Sequence, residues 1–340
     1  MFLPVHCSLN DSNLVELLKR NFMKAINYLL TILLLAPAVG FAQSDEHYTM
    51  FMYNKMLYNP AYTGSRDLMS ANATYRNQWT GINGAPKLYN ISVDGPVGSY
   101  MKSFRSVATG ISIDNEQIGV ENNTNVMAYY AYRIRFEKTV LSLGLRAGAK
   151  LYSANYSQLN PYQPFDKNLT HDIKNAFLPN FGSGVYWSGD KFYLGLSVPN
   201  MLQPYYDKNE TINTLNAREI RGYYLSGGYV LPLNDIIKIE PQAIVRYIGN
   251  ATYNLPLNCD INLSAIVYDR ILFGFTYRTD NSYEAIVHLQ VTNNINIGYA
   301  YDHITSALGA YSSGSHEIVV GYDFIREHYK YTTPRFVKSF

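Results

Sequence analysis

From residue 69 to residue 324 the chain repeats one pattern, apolar residues alternating with polar or small ones at a period of two. Successive side chains of a strand point to opposite faces, so each such segment is a strand with two unlike faces. In residues 139–152, Leu141, Leu143, Leu145, Ala147, Ala149 and Leu151 take one face, and Ser142, Gly144, Arg146, Gly148, Lys150 and Tyr152 take the other. Leu257, Cys259, Ile261, Leu263, Ala265 and Val267 alternate in the same way with Asn258, Asp260, Asn262 and Ser264. Met69, Ala71, Ala73, Tyr75 and Trp79 oppose Ser70, Asn72, Thr74, Arg76 and Gln78. Near the end, Ile295, Ile297, Tyr299 and Tyr301 oppose Asn296, Gly298, Ala300 and Asp302, and His316, Ile318, Val320, Tyr322 and Phe324 oppose Glu317, Val319, Gly321 and Asp323.

About fourteen such segments can be counted, an even number, as an outer-membrane barrel requires. A soluble β-sandwich also alternates, but its apolar face is the core and its outer face is richly charged. Here the second face is largely Gly, Ser, Asn and Tyr, and only 16% of the chain is charged. The 32 tyrosines suit a membrane barrel, whose amphipathic rings gather at both interfaces. After the amino-terminal region no window holds the 18 apolar residues of a transmembrane helix, so a mature chain in a membrane crosses it as strands. A net charge of +2 without a basic stripe excludes a nucleic-acid partner and leaves outer-membrane lipid as the first partner. The expected fold is all-β, a transmembrane up-and-down antiparallel β-barrel.

Connection lengths orient it. The links at 136–138, 188–190, 232–235, 268–270 and 292–294 are short, whereas 153–176 and 199–217 are long and fall at the other end. Barrels of this kind carry tight turns in the periplasm and long loops outside, which predicts periplasmic termini. A long second link, 95–104, and a short outer loop, 279–281, are the exceptions.

The start of the chain reads as a secretory signal: Met23 and Lys24, an apolar run over 29–38, then Gly40-Phe41-Ala42 with small residues at both cleavage positions. Cleavage leaves Gln43 first, with Met23 the initiator and residues 1–22 an over-called extension. The alternative is an amino-terminal membrane anchor, for which the run is short of the ~20 residues a spanning helix needs. Cys7 falls in the removed segment and Cys259 stands alone, so no disulfide framework is available. The expected organisation is a signal and extension over 1–42, a periplasmic amino-terminal segment or plug over 43–66, the barrel over 67–325 and a periplasmic tail over 326–340.

On this register the lumen receives Arg76, Asp94, Asp114, Arg146, Lys150, Lys238, Glu240, Arg246, Asp260, Glu284, Asp302 and Glu317. Both signs occur in similar number and can pair, whereas a selective ion path shows a ring of one sign. Inward glycines at 110, 144, 148, 195, 228, 298 and 321 leave room for a loop, a terminal segment or a partner's peptide. This favours a plugged or ligand-accepting barrel over an open porin.

Catalytic constellations are weak. His171 beside Asp172 lies in the longest outer loop, His288 and Glu284 share an inward face, and His316 and Glu317 are strand neighbours that point oppositely. None forms a triad or an H-E-x-x-H spacing, and no phosphate loop, nucleophile elbow or Cys/His cluster occurs, so no cofactor, metal or enzymatic role is expected. Asn209-Glu210-Thr211 matches a glycosylation pattern by chance.

The most specific motifs lie at the ends of the mature chain. Residues 53–64 read Tyr-Asn-Lys-Met-Leu-Tyr-Asn-Pro-Ala-Tyr-Thr-Gly, ahead of Tyr75-Arg76-Asn77-Gln78-Trp79 and Gly84-Ala85-Pro86. They are joined by Asp94-Gly95-Pro96, Gly314-Ser315-His316-Glu317-Ile318 and Pro334-Arg335-Phe336. Together these closely resemble the PorP/SprF family of outer-membrane proteins associated with the type IX secretion system. The tail runs on through Phe340, past the usual Pro-Arg-aromatic-Phe ending, which leaves either Phe340 or Phe324 as the insertion signal. The resemblance implies a non-enzymatic barrel that helps export, or holds at the surface, proteins bearing a C-terminal sorting domain. Its implied partners are other secretion components and a cognate secreted adhesin or enzyme. It also marks Asn59, Pro60, Ala61, Tyr62, Gly64, Arg76, Asn77, Gln78, Trp79, Gly314, His316 and Glu317 as motif residues.

Physically, Asn59-Pro60 favours an extended residue followed by a turn, and Met50, Phe51, Met52, Met56, Leu57 and Tyr58 form an apolar patch. Such a segment serves either as a brace in the periplasmic mouth or as a docking surface for a periplasmic partner. Tyr156, Tyr162 and Phe165 in one outer loop, with Tyr205 and Tyr206 in the other, offer rigid contact area for cargo. The rival functions are a passive porin or small-solute transporter and, more distantly, an outer-membrane hydrolase.

Overall fold

A computed structural model describes residues 48–99, 106–159, 172–205, 219–249, 257–280 and 282–324. The signal region, residues 43–47, His171, the 209–211 pattern, Tyr162, Phe165, Tyr206 and the tail with 334–336 and Phe340 lie outside the described residues.

The strands are β1 (Met69–Asn77), β2 (Lys87–Pro96), β3 (Val107–Ile118), β4 (Glu121–Arg135), β5 (Thr139–Ala154), β6 (Ile173–Gly189), β7 (Phe192–Val198) and β8 (Gly222–Tyr229). They continue as β9 (Leu231–Pro232), β10 (Ile237–Ile248), β11 (Asn258–Val267), β12 (Ile271–Arg278), β13 (Ser282–Gln290), β14 (Ile295–Ile304) and β15 (Ser315–Phe324). β9 pairs with β10 in the register set by β8, so the two are one wall strand interrupted at Val230. Every wall strand pairs antiparallel with its sequence neighbours, β10 pairs with β11, and β1 closes the ring on β15 from Met69↔Phe324 to Asn77↔His316. The result is a closed fourteen-strand antiparallel barrel with no free edge.

Alternation decides which face points where. In β5, Leu143 and Leu145 are exposed while Ser142, Gly144 and Arg146 are buried, and the same order holds in β11, β14 and β15. The exposed face carries Ile91, Ile113, Leu196, Leu263 and Ile297, an apolar band suited to lipid. Aromatic rings gather towards both ends, with Tyr75 packed on Tyr89 and Tyr223 on Tyr247 at one, and Trp187 on Phe192 and Tyr322 on Phe324 at the other. One alternation ends early: Trp79 is not on the β1 face, because the strand stops at Asn77 and Trp79 turns the chain with a φ of 52°.

One end, the turn end, bears the links 97–106, 136–138, 190–191, 233–236, 268–270 and 291–294. The other, the loop end, bears 78–86, 155–172, 199–221, 249–257 and 305–314, together with the short links 119–120 and 279–281.

Candidate functional site

The interior is occupied by the chain's own amino-terminal segment. Residues 51–62 form three consecutive helical turns, Phe51–Tyr53, Lys55–Tyr58 and Pro60–Tyr62. Asn59 starts the last of them: it is extended, and its side-chain oxygen accepts the Ala61 N–H at 2.9 Å. Pro60 then occupies a first-turn position, where its missing N–H costs nothing. Single turns this short are held by packing rather than by helical propensity.

That packing explains the apolar residues on the inner face. Tyr48, Met50, Phe51, Met52, Tyr53 and Tyr58 cluster with the buried Leu88, Tyr224, Ile244, Ile266, Leu272, Ile286 and Val319 of the wall. Met56 packs with Met127 and Tyr129, and Ala61 with Tyr186 and Tyr193. Tyr53 stacks on His288 with ring centroids 4.2 Å apart, and Lys55 Nζ lies 3.7 Å from the centre of the Tyr193 ring.

Inward glycines make the space. A Cβ on Gly144 would collide with the backbone of Pro60 and Ala61, and one on Gly184 with the Asn59 side chain. A Cβ on Gly110 would stand 2.8 Å from Met56 Sδ, one on Gly298 2.9 Å from Met50 Sδ, and one on Gly195 2.8 Å from Asn59 Nδ2. Gly148 and Gly228 instead border wall residues Met127 and Tyr193.

Charges fix the segment at three levels. Near the loop end, Glu317 accepts the Thr49 and Met50 N–H groups at 2.7 and 2.9 Å, and Thr49 Oγ1 donates to both oxygens of Asp302 at 2.7 and 2.8 Å. Arg76 lies 2.6 Å from Asp302 and 3.5 Å from Glu317 and also contacts the Thr49 hydroxyl. At mid-height, Arg146 donates to the Leu57 carbonyl at 3.0 Å, Ser197 to the Tyr58 carbonyl at 2.7 Å, and Asn59 Nδ2 to the Val185 carbonyl at 3.0 Å. At the turn end, Asp94 accepts the Gly64 N–H at 2.8 Å, Arg66 grips Asp323 with two bonds of 2.7 and 2.6 Å, and Asp67 receives Arg133 and Arg135 at 2.6 and 2.7 Å.

The remaining lumen charges sit in a second network, where Arg246 pairs with Asp260 at 2.6 Å and Arg278 bridges Asp260 at 3.0 Å and Glu284 at 2.9 Å. Lys150 meets Glu219 at 3.0 Å and Lys238 meets Asp269 at 2.7 Å. Asp114 accepts from Ser112 at 3.2 Å. Glu240 is buried on β10 across from Lys55, whose positive charge opposes its own. Arg278 and the Arg66–Asp323 and Asp67–Arg133 pairs were not among the sequence candidates. Arg278 alternates inward with Thr276, a signal that periodicity could have supplied; the other two pairs join residues far apart in the chain.

Of the motif residues, the structure gathers Asn59, Pro60 and Ala61 into the buried segment, with Tyr62 edge-on to Tyr186 at 5.4 Å. Gly64 turns with a φ of 71° against Ala108, and Arg76 and Glu317 face each other across β1 and β15. Asn77, Gln78, Trp79 and Gly314 form the loop-end rim: the Gln78 N–H donates to the Pro86 carbonyl at 2.9 Å, the Trp79 N–H to Ser315 Oγ at 3.1 Å, and the Thr80 N–H to the Gly314 carbonyl at 2.8 Å. His316 stands apart on the outer face, 2.7 Å from the Tyr299 hydroxyl. His288 has Asn296 at 3.2 Å and Tyr53 stacked upon it. Among the described residues no three His, Cys, Asp or Glu side chains are grouped to hold a metal ion. Of the aromatic loop residues, Tyr156 contacts the Tyr152 hydroxyl at 3.0 Å and Tyr205 is exposed.

The family model described as type IX secretion system membrane protein PorP/SprF matches residues 40–322. No curated protein is similar enough in sequence to count as a match. Among solved structures, the chain resembles the Acinetobacter baumannii outer membrane protein Omp33 with a TM-score of 0.42 at 6% identity, over 76% of this chain and 98% of that one. A Pseudomonas aeruginosa FadL homologue gives 0.43 at 12% identity over 79% and 94%. OmpF of Salmonella typhi, solved with daunomycin, gives 0.39 at 8% over 76% and 99%.

Proposed function

The chain belongs to the PorP/SprF family of type IX secretion system membrane proteins, and from that premise we propose that it is a non-enzymatic outer-membrane barrel that assists export or surface attachment of cognate secreted proteins with C-terminal sorting domains. The observation that supports this reading is the filled lumen. A porin needs a continuous water path, whereas here Thr49, Met50, Phe51 and Ala61 are all buried within the wall. With its interior given over to its own segment, such a barrel works through its rims, where it meets other secretion components and cargo. The turn end faces the periplasm and the loops face outward, in keeping with the link lengths. Tyr156 and the exposed Tyr205, the described aromatic residues of the two long loops, supply rigid contact area for cargo.

The test is paired. Purified barrel in a planar bilayer is expected to be silent, and gentle affinity purification from outer membranes to bring down a secreted protein with a sorting domain. A large, steady conductance with no co-purifying secreted protein would replace this reading with a passive porin.

A further inference from the structure

Towards the loop end, the outer face of β1, β2 and β3 changes character in three successive rungs. Ala73, Ile91 and Ile113 pair across the strands and lie exposed in the apolar band. Two residues nearer the loop end come Tyr75, Tyr89 and Asn115, with the tyrosine ring centroids 5.0 Å apart. Two residues nearer still come Asn77, Lys87 and Gln117. Strand alternation keeps all of them on the outer face, so over about 14 Å, at ~3.4 Å per residue, that surface turns from aliphatic to aromatic to polar. Hydrocarbon, interface and headgroup follow one another in the same order in a bilayer.

The polar rung borders a cleft of about 390 Å³, whose other side is the link 78–86 folded back on the wall. The Thr80 N–H donates to the Gly314 carbonyl, the Ser313 N–H to the Thr80 carbonyl and the Gly119 N–H to the Gly84 carbonyl, each at 2.8 Å. Trp79, Thr80 and Asn83 of this link line the cleft together with Asn77, Lys87 and Gln117. The Thr80 hydroxyl oxygen is buried without a hydrogen-bonding partner among the described residues. Among the described residues, no hydrogen bond or ion pair from the wall engages the side chains of Asn77, Asn83, Lys87 or Gln117 either. Lys87 is the one charge among the described lining residues.

We propose that this cleft binds a phosphorylated sugar, presented as the headgroup of a glycolipid in the leaflet at the loop end. The amides of Asn77, Asn83 and Gln117 and the Thr80 hydroxyl offer donors and acceptors together, as sugar hydroxyls require. Lys87 supplies a point charge for the phosphate, and the Trp79 ring an apolar surface with a polar edge for the C–H face of the sugar. The volume suits a small ligand, for which pockets run roughly 300–1,000 Å³. The rungs favour a membrane source over a sugar in solution. A headgroup held beside Lys87 has Tyr75 and Tyr89 beneath it, and its acyl chains lie along Ile91 and Ile113. This inference shares with the proposed function only the orientation of the barrel, and not any role in secretion.

The chain has two tryptophans, so Trp187→Phe leaves Trp79 as the sole reporter. The full chain with this change, confirmed as a folded barrel by heat-shifted migration, is placed in phosphatidylcholine vesicles with a rising fraction of lipid A, or of phosphatidylglycerol as a charge control. Trp79 emission is expected to change saturably with lipid A and not with phosphatidylglycerol, and native mass spectrometry after detergent extraction to find lipid A retained. Lys87→Gln should weaken binding about tenfold, the loss of one charge-assisted hydrogen bond. Thr80→Val should weaken it too while leaving the heat-shift temperature unchanged, because the hydroxyl bonds nothing in the wall. An equal response to phosphatidylglycerol, an undiminished response in Lys87→Gln, or neither an emission change nor retained lipid A overturns the proposal. Free glucosamine 1-phosphate binding as tightly as lipid A would keep the sugar phosphate as ligand and overturn the membrane as its source.

Discussion

Glu317 accepts the backbone N–H of Thr49 at 2.7 Å across 268 positions of sequence, and this bond ties the first described turn of the chain to the last strand of the wall. It forms beside the β1–β15 seam, so the segment and the closure of the barrel hold one another. Arg76 lies within 3.5 Å of the same carboxylate, which ties the charge of the seam to the segment as well.

Replacing Glu317 with Ala removes the acceptor of two N–H groups and a counter-charge to the buried Arg76. Breaking a buried, hydrogen-bonded charge arrangement by deleting one partner costs ~3–5 kcal/mol. The segment over 48–66 is expected to become sensitive to protease in the detergent-solubilised barrel, and the heat-shift temperature to fall. Unchanged protection of that segment would show that the clamp does not hold it.

Gly144→Ala places a methyl group against the Pro60–Ala61 backbone, whereas Gly227→Ala meets atoms no nearer than 3.5 Å. Overpacking of a filled interior costs about 1–3 kcal/mol. Thermal denaturation should show Gly144→Ala destabilised by that order and Gly227→Ala close to the parent. Equal effects would mean that the segment yields freely at Gly144.

Asp67 has a φ of 56°, which Asn tolerates as well as Asp, so Asp67→Asn removes charge and leaves the turn intact. Its partner Arg133 has a side chain 1% exposed, while that of Arg135 is 43% exposed. A buried partner left without its counter-charge costs ~3–5 kcal/mol, and an exposed pair only about 0.2–1 kcal/mol. Denaturant unfolding in lipid should therefore find Asp67→Asn far more damaging than Arg135→Gln. Similar losses in the two variants would contradict the burial assigned to Arg133.

Leu145 points outward near the middle of β5, with Gly144 and Arg146 turned inward on either side. A cation at the bilayer midplane of a barrel costs ~2–4 kcal/mol. Leu145→Arg is expected to lower folding into vesicles by that amount, measured by urea titration of heat-shifted migration. A neutral result would place Leu145 outside the hydrocarbon band.

Much of this architecture could be read from single segments. Leu143 and Ser142 declare opposite faces because strand geometry imposes a period of two on any chain that has lipid on one side. The connection lengths 136–138 and 268–270 showed which strands share an end. The lumen was harder to read. Leu88, Ile244, Ile266, Leu272 and Ile286 sit on the inner face among polar neighbours, and nothing local distinguishes an inward isoleucine that packs on a plug from a lapse in the alternation. The Asn59-Pro60 turn was legible, but its seat beside Gly184 and Gly195 was not, because those glycines lie more than a hundred positions away.

By itself, the sequence determined the strands, their two faces and the short turns, because each follows from backbone geometry and the solvent preference of side chains within about ten residues. Tertiary structure alone decided that β1 closes on β15, that Arg76, Asp302 and Glu317 converge on Thr49, and that the amino-terminal segment fills the barrel along its length. Those contacts join residues separated by from 27 positions, for Arg76 and Thr49, to 268, for Glu317 and Thr49, and only the closed ring brings them within bonding distance.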